Sequence, residues 1–364
     1  MRETLLFKKV YGCIIGAAIG DAFGIRVEMM HYRDIAAQYG RVEHFGLLPP
    51  RRPSEQPPLE RWNPFAVQMQ NVGGYHPLGR WSREVGAYTD DMRYRLLAYR
   101  AMLKKGGPIS GRDFAAEWFN YRLMAEGAAE FEPTLSWPGP QREYARYVAS
   151  LDSLTRMAAG RRPCHAGWDG PVGVLYPGDP AAAADDGYPM AVAVAAALSP
   201  GADMESVIAA VLRHTECLGQ NAAEFVARLE RLLQTAAQCS DASELYEPFY
   251  RDFLVTFPPW DSVWIMEMIP AALAVCYVAK NDPTAAIIGA ANLGRDADTI
   301  ASIAGELMGA LCGADALPAE WVAQVERLNP EPDMAEMAAG LTALAAERAR
   351  VAEDRARETL SLAA

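Results

Sequence analysis

The sequence predicts an all-α fold, a compact single-domain bundle of many helices. Three observations support this class. Apolar residues recur at helical spacing in most segments, several of these segments end on glycine, and no region sustains the apolar-polar alternation of a half-buried strand. The clearest helix is "DTIASIAGELMGALCG". Its apolar positions follow an amphipathic pattern and are Ile300, Ile303, Ala304, Leu307, Met308 and Leu311.

The first predicted helix covers Leu5 to Gly24. Gly12, Gly16, Gly20 and Gly24 recur every four residues, so they share one face of this helix. Glycine costs helix propensity. Two interpretations explain the glycine stripe. Either another backbone approaches this face closely, as small residues allow, or the glycines serve ordinary core packing.

Residues 41–86 have a different character from the rest of the chain. The stretch "LLPPRRPSEQPPLERWNPF" is rich in proline and shows no sustained periodicity. We expect a long surface insertion loop or lid with polyproline-like pieces, which in an enzyme is often functional. Proline-rich surface padding is the alternative interpretation.

The helical pattern returns after Asp91 and continues to about residue 330, interrupted by a Gly- and Pro-rich loop from Arg161 to Pro180. We therefore expect one helical domain over residues 1–330. Residues 331–364 form an Ala/Glu/Arg-rich tail with charges at helical spacing, predicted as one or two surface helices. This tail packs either on the body or on a second subunit, which would make the protein a homo-oligomer.

The composition limits the possible partners. The 364 residues include 34 basic and 46 acidic side chains, a formal charge of −12. A surface of this sign repels nucleic acid and anionic membranes, so neither is expected as a main partner. The six cysteines lack zinc or redox spacing, and no apolar run is long enough to span a bilayer, since Asp21 interrupts the N-terminal one. We expect a cytoplasmic protein with reduced thiols.

Two acidic clusters carry the strongest chemical signal. "YTDDM" spans Tyr88 to Met92, and "GRDADT" spans Gly294 to Thr299. Thr89 or Asp90 could cap a helix that begins near Met92, and Asp298 one that begins near Thr299. One cap needs only one side chain, however, and each cluster offers three oxygen-bearing side chains. If folding joins the clusters, their mutual repulsion favours bound hard cations such as Mg²⁺, Mn²⁺ or Ca²⁺.

The motifs "GAAIGDAFG", "YTDD" and "ANLGRDADTIASIAGELMGALCGADALP" resemble the signatures of the ADP-ribosylglycohydrolase family, which includes enzymes related to dinitrogenase-reductase-activating glycohydrolase. They occur in the family's order, from about residue 8 to about residue 325. The resemblance implies an all-α fold with a cleft that holds two Mg²⁺ or Mn²⁺ ions. The ligands that it implies are Thr89, Asp90, Asp91, Asp296, Asp298 and Thr299. Glu28 matches a glutamate near the family's site, and we expect Glu28 or Asp91 to serve as the catalytic acid or base.

Three departures from the family pattern concern the substrate. Met92 stands where the family usually has threonine, and residues 41–82 form a long insertion. In the central loop, Trp168, Asp169 and Gly170 replace the family's usual Asn-Gly pattern, and we expect them to contact substrate. Trp168 either stacks on a base or aglycone or is a partly buried anchor of the loop. Arg295 is expected either to bind a substrate phosphate or to pair with an aspartate.

The predicted function is metal-dependent hydrolysis of an N-ribosyl bond. The substrate is an ADP-ribosylated protein, an ADP-ribose adduct or a nucleoside-like small molecule. The alternative from another class is a catalytically weak regulatory protein of the same fold that binds ADP-ribose or a nucleotide. A helical scaffold whose acids only cap helices is the third possibility.

Overall fold

A computed structural model describes residues 2–28, 30–45, 85–110, 113–114, 117, 166–186, 189–254 and 264–362. Most of the predicted proline-rich insertion, residues 46–84, lies outside the described residues. The backbones of Asp90, Trp168 and Asp169 are described, but their side chains are not.

The described residues form fourteen α-helices. These are α1 (Leu5–Gly24), α2 (Tyr32–Tyr39), α3 (Asp90–Lys105), α4 (Ala166–Gly173), α5 (Pro180–Asp186), α6 (Pro189–Ala197), α7 (Met204–Arg213), α8 (Ala222–Ala236), α9 (Tyr246–Asp252), α10 (Ile269–Ala279), α11 (Pro283–Leu293), α12 (Ala297–Cys312), α13 (Ala319–Leu328) and α14 (Met334–Leu362). Short 3₁₀ segments cover Glu216–Asn221, Ala242–Leu245 and Ala314–Ala316, and a π-helical turn covers Trp264–Met268.

The predicted all-α class is confirmed. Over the described ranges there is no β-strand, and the single bridge of extended backbone joins His31 to Gly294. None of the described helices combines the length and the apolar character that a membrane span requires.

Helices α1 and α12 form the centre of the bundle and touch backbone to backbone. A Cβ atom on Gly12 would overlap the carbonyl oxygen of Gly309, and one on Gly16 would overlap that of Gly305. Of the two interpretations of the glycine stripe, close backbone approach is therefore the one that the structure supports.

The same seam runs on to the site end of both helices. Gly24, the last residue of α1, lies against Ala297, the first residue of α12. Because residue numbers fall along α12 as they rise along α1, the two helices are antiparallel. The chain leaving α1 therefore lies beside the start of α12, where the second acidic cluster is found.

The helix at the first acidic cluster begins at Asp90, two residues earlier than predicted. Thr89 is its N-cap, and the Thr89 hydroxyl accepts a hydrogen bond from the backbone N–H of Asp91 at 3.3 Å. Gly106, in the left-handed conformation, ends the helix. Thr89 is therefore the capping residue, and capping does not explain why two aspartates follow it.

The C-terminal tail is one long helix, α14. Its first half packs on the body through Met334, Met337, Leu341 and Ala345, which are buried against α1 and α3. Its second half, from about residue 346, is exposed. Packing on the body is therefore observed for the first half, and the division into a 1–330 domain and a tail stays a prediction.

Candidate metal centre

The site begins with the turn that follows α1. The backbone N–H of Val27 donates to Gly24 O at 2.9 Å, and the N–H of Met30 donates to Val27 O at 3.0 Å. These bonds fold the chain back as it leaves the seam with α12. Glu28 lies inside this turn, and its side chain is buried with 2% exposure. The turn thus brings one carboxylate from the N-terminal segment to the start of α12.

The first acidic cluster is held in place by Asp21, a fully buried carboxylate on α1. Asp21 Oδ1 accepts the backbone N–H of Thr89 at 2.8 Å. Asp21 Oδ2 accepts the Thr89 hydroxyl at 3.1 Å and the backbone N–H of Met92 at 2.8 Å. Three hydrogen bonds to one charged acceptor fix the first turn of α3 relative to α1.

Met92 takes part in the site through its backbone. Its N–H binds Asp21, while its side chain is fully buried in the hydrophobic core. The departure from threonine at this position therefore changes core packing beside the site and leaves the backbone hydrogen bond intact.

The second acidic cluster is held in place by a turn and an ion pair. Arg295 has a left-handed backbone with φ of 64°, which is uncommon for a residue other than glycine, and its N–H donates to Met30 O at 2.9 Å. Its guanidinium binds both carboxylate oxygens of Glu267, at 2.6 and 3.3 Å. Both side chains are buried. Burial lowers the pKa of Arg295, but the Glu267 carboxylate outweighs this effect, so the pKa of Arg295 is raised and its guanidinium stays charged.

Asp296 is the N-cap residue of α12, which begins at Ala297 rather than near Thr299 as predicted. Its side chain makes no capping hydrogen bond to this helix. Asp298 lies in the first turn, where its Oδ1 accepts the backbone N–H of the adjacent Thr299 at 3.0 Å. Helix capping therefore does not account for the aspartates of the second cluster.

The two clusters, two hundred residues apart in sequence, meet in the folded chain. The Thr299 hydroxyl donates to Asp91 Oδ2 at 2.6 Å, and the Thr89 hydroxyl lies 3.5 Å from Asp298 Oδ2. Carboxylate oxygens of Glu28, Asp296 and Asp298 lie within 4.8 Å of one another. The clusters and the turn after α1 thus form one buried group of oxygen donors.

This group repels itself electrostatically. Burial raises the pKa of Asp298 well above its usual value, and the carboxylates of Glu28 and Asp296 raise it further. A divalent cation would relieve that repulsion. All the donors are oxygens, which is the set that hard ions such as Mg²⁺ and Mn²⁺ prefer. The residues present therefore fit the cations that the family resemblance implies.

The remaining predicted site residues occupy different places. Asp90 is the first residue of α3. The prediction of a loop over Arg161–Pro180 is wrong for residues 166–173, which form helix α4 and include Trp168 and Asp169. The side chains of Asp90, Trp168 and Asp169 are outside the described set. Gly170 is buried, and a Cβ added there would overlap the carboxylate of Glu306. Arg295 has the ion pair that was one of its two predicted roles, although its partner is Glu267 and not an aspartate.

Four charged residues around the site escaped the sequence analysis as functional candidates: Asp21, Arg95, Glu267 and Glu306. The sequence does contain a pattern that could have identified them. Three of them are single acids within apolar helical runs, and Arg95 follows Asp91 by one helical turn. A charge in such a run is either exposed or paired with a partner in the interior. Only the fold shows which partner each one has.

Comparison with known proteins agrees with this geometry. The model of the ADP-ribosylglycohydrolase family matches residues 2–355. The uncharacterized protein YegU of Escherichia coli (strain K12) is 25% identical over 350 residues, with 88% of this chain and 93% of that protein covered. The ADP-ribosyl-dinitrogen reductase glycohydrolase of Rhodospirillum rubrum is 24% identical over 349 residues, with 93% and 96% covered.

A third similarity is more local. The ADP-ribosylarginine hydrolase Tri1 of Pseudomonas putida (strain GB-1) is 34% identical over 112 residues, which are 31% of this chain and 28% of that protein. The family match, in contrast, extends over almost the entire sequence. The chain belongs to the ADP-ribosylglycohydrolase family.

Proposed function

We propose that this protein is a metal-dependent hydrolase that cleaves an N-ribosyl bond in an ADP-ribosylated protein, an ADP-ribose adduct or a nucleoside-like molecule. The observation that carries the proposal is the buried oxygen cluster formed by Glu28, the Thr89–Asp91 segment and the Asp296–Thr299 segment. Membership of a family of ADP-ribosyl hydrolases supports the type of reaction.

The proposed ligands of two Mg²⁺ or Mn²⁺ ions are Thr89, Asp90, Asp91, Asp296, Asp298 and Thr299. When bound, such ions would orient the ribose hydroxyls and lower the pKa of a water molecule. Because Asp298 resists ionisation in this cluster, a nearby positive charge would stabilise its ionised carboxylate. Contacts of Thr299 with Asp91 and of Thr89 with Asp298 join the two clusters, which supports a shared site.

Glu28 is proposed as the residue that accepts a proton from the attacking water or orients that water. It comes from a turn rather than from either cluster, so it can face the reacting atoms while the aspartates hold the cations. Because Glu28 is buried, bulk solvent is excluded from its carboxylate and does not compete for the proton of the attacking water. Asp91, which accepts the Thr299 hydroxyl, is the second candidate for this role.

The ion pair with Glu267 gives Arg295 a positioning role in this proposal. With its guanidinium bound to both oxygens of a buried carboxylate, the side chain fixes the turn that presents Asp296. Substrate contacts are proposed for the α4 segment that includes Trp168 and Asp169.

The substrate class follows from the relatives by analogy. Two relatives are named as hydrolases of ADP-ribosylated dinitrogen reductase and of ADP-ribosylarginine. We therefore propose an ADP-ribosyl group as the first candidate and include nucleosides because the α4 segment departs from the family pattern.

The test is an activity panel with a matched variant. Metal-stripped protein is supplied with Mg²⁺ or Mn²⁺ and incubated with ADP-ribosylarginine, ADP-ribosylserine, O-acetyl-ADP-ribose and free nucleosides, and released ribose or ADP-ribose is measured. We expect turnover of at least one compound and a loss of at least about a hundredfold in Asp298→Asn, since a metal ligand is removed.

Asp282→Asn is the control, because Asp282 is an exposed N-cap on α11 and asparagine caps equally well. Its activity should equal that of the wild type. Full activity of Asp298→Asn would refute the metal mechanism. Tight ADP-ribose binding without turnover of any compound would favour the regulatory alternative.

A further inference from the structure

Directly behind the proposed metal ligands lies a buried ion pair between Arg95 on α3 and Glu306 on α12. Arg95 Nε is 3.5 Å from Glu306 Oε2, and both side chains have 0% exposure. Each belongs to a helix whose first turn carries one of the two acidic clusters. The pair therefore joins the two helices one to two turns away from the site.

The geometry of this pair is poor for stabilising the fold. A charge-assisted hydrogen bond between these groups would measure about 2.7–2.9 Å. Within the described part of the chain, neither oxygen of Glu306 has a hydrogen-bond partner. A buried ion pair of this kind contributes little net stability, because desolvation of both charges offsets their attraction. Its position suggests another purpose.

Arg95 has a second possible partner, the carboxylate of Asp91. The two residues are four apart on α3, the spacing at which an aspartate and an arginine on one helix pair with each other. Arg95 Nη1 already donates to the backbone carbonyl of Asp91 at 3.3 Å. Burial lowers the pKa of Arg95, but Glu306 and then Asp91 outweigh this, so the pKa is raised and the guanidinium stays charged. Burial raises the pKa of Glu306, and the adjacent Arg95 guanidinium opposes this by favouring the negative carboxylate.

Glu306 is itself held from a third helix. Gly170 on α4 packs so closely on the Glu306 carboxylate that a Cβ at this position would overlap it. The glycine therefore gives Glu306 the room to lie beside Arg95. This packing supplies a reason for Gly170 that does not involve the substrate.

We infer that Glu306 is a positioning residue that keeps the Arg95 guanidinium away from the carboxylate of Asp91, so that Asp91 remains available to a divalent cation. The inference rests on the proposed metal centre. Without the negative charge of Glu306, Asp91 becomes the carboxylate that attracts the guanidinium most strongly, ahead of Asp21, and the guanidinium competes with the cation there. Glu306 thereby sets the cation affinity without touching the cation.

The test is calorimetric titration of the metal-stripped full chain with Mn²⁺, together with its melting temperature in the absence of metal. Glu306→Gln should weaken Mn²⁺ binding by about tenfold or more, the usual range for residues that act through a metal ligand. Adding Arg95→Met to Glu306→Gln removes the competing charge and should restore the wild-type affinity. Thr342→Val is the control, since the buried Thr342 hydroxyl donates within its own helix to Ala338 O and its replacement changes no charge.

Each result decides between specific alternatives. Unchanged Mn²⁺ binding in Glu306→Gln overturns the inference and leaves the metal centre standing. Equal weakening in the single and double variants also overturns it, because the pair would then be a brace between helices. No Mn²⁺ binding by the wild type removes the proposed metal centre itself, and this inference with it.

If Glu306→Gln does not fold, Gly170→Ala tests the same point without changing either charge. The added methyl group displaces the Glu306 carboxylate and should weaken Mn²⁺ binding in the same direction. Wild-type Mn²⁺ affinity in a folded Gly170→Ala protein would contradict the inference.

Discussion

The two halves of the candidate metal centre are held in place by different means. In the first half, Asp21 accepts three hydrogen bonds from Thr89 and Met92, so one carboxylate fixes the start of α3. In the second half, Arg295 takes a left-handed backbone conformation and pairs with Glu267. One half is thus fixed by hydrogen bonds to a charged acceptor, and the other by a strained turn that a full ion pair stabilises.

The difference shows how a site crowded with negative charge can be positioned. Asp21 accepts hydrogen bonds from backbone N–H groups of Thr89 and Met92 that would otherwise lack an acceptor, so its buried carboxylate is stabilised without a paired cation. The second half instead introduces a buried cation, Arg295, which needs a dedicated anion outside the site. The two halves should therefore respond unequally when their supporting carboxylates are neutralised.

The largest effect is expected for Glu267→Gln. This change leaves the buried Arg295 without its bidentate partner, and loss of one member of a buried pair destabilises a protein by about 3–5 kcal/mol. The free energy of unfolding should be measured by urea denaturation without metal. Glu247→Gln is the control, since Glu247 is exposed where it pairs with Arg33, and an exposed pair contributes little to stability. Equal effects of both variants would show that the Arg295 turn does not depend on its ion pair.

A smaller effect is expected for Asp21→Asn. The amide keeps one acceptor oxygen and turns an NH₂ group toward a backbone donor, which should cost about 2–3 kcal/mol of unfolding free energy. Urea denaturation again provides the measurement. The change should also weaken Mn²⁺ binding, because the first turn of α3 is released. The exposed cap variant Asp282→Asn should lose at most about 0.5 kcal/mol. A loss that small in Asp21→Asn would mean that the first half is positioned by other contacts.

The smallest effect on stability is expected for Thr299→Val, which removes the hydrogen bond that joins the halves at Asp91 Oδ2. One such bond contributes about 1 kcal/mol. Thr342→Val is a matched control, because the buried Thr342 hydroxyl donates within its own helix to Ala338 O, far from the site. Only Thr299→Val should also weaken Mn²⁺ binding, as measured by calorimetry. Undiminished binding would remove Thr299 from the proposed ligands.

The sequence determined the fold class and the two clusters. Helical periodicity in "DTIASIAGELMGALCG" is a local property, as is the spacing of the glycines in α1, so both can be recognised from the sequence alone. The two acidic clusters are also local patterns, because each has three oxygen-bearing side chains close together where a helix cap uses only one. The family resemblance added Glu28, which no local pattern marks as part of either cluster.

Only the tertiary structure decided how these parts are joined. The antiparallel seam of α1 and α12 places the turn with Glu28 beside Asp296 and Asp298, and nothing in either segment alone specifies that contact. The same holds for Asp21, Arg95, Glu267 and Glu306. The sequence shows that the three acids are charges in apolar runs and that Arg95 lies one helical turn after Asp91, but it does not show which group each one pairs with. Those partners lie far apart in the sequence and come into contact only when the helices pack, so the sequence alone does not identify them.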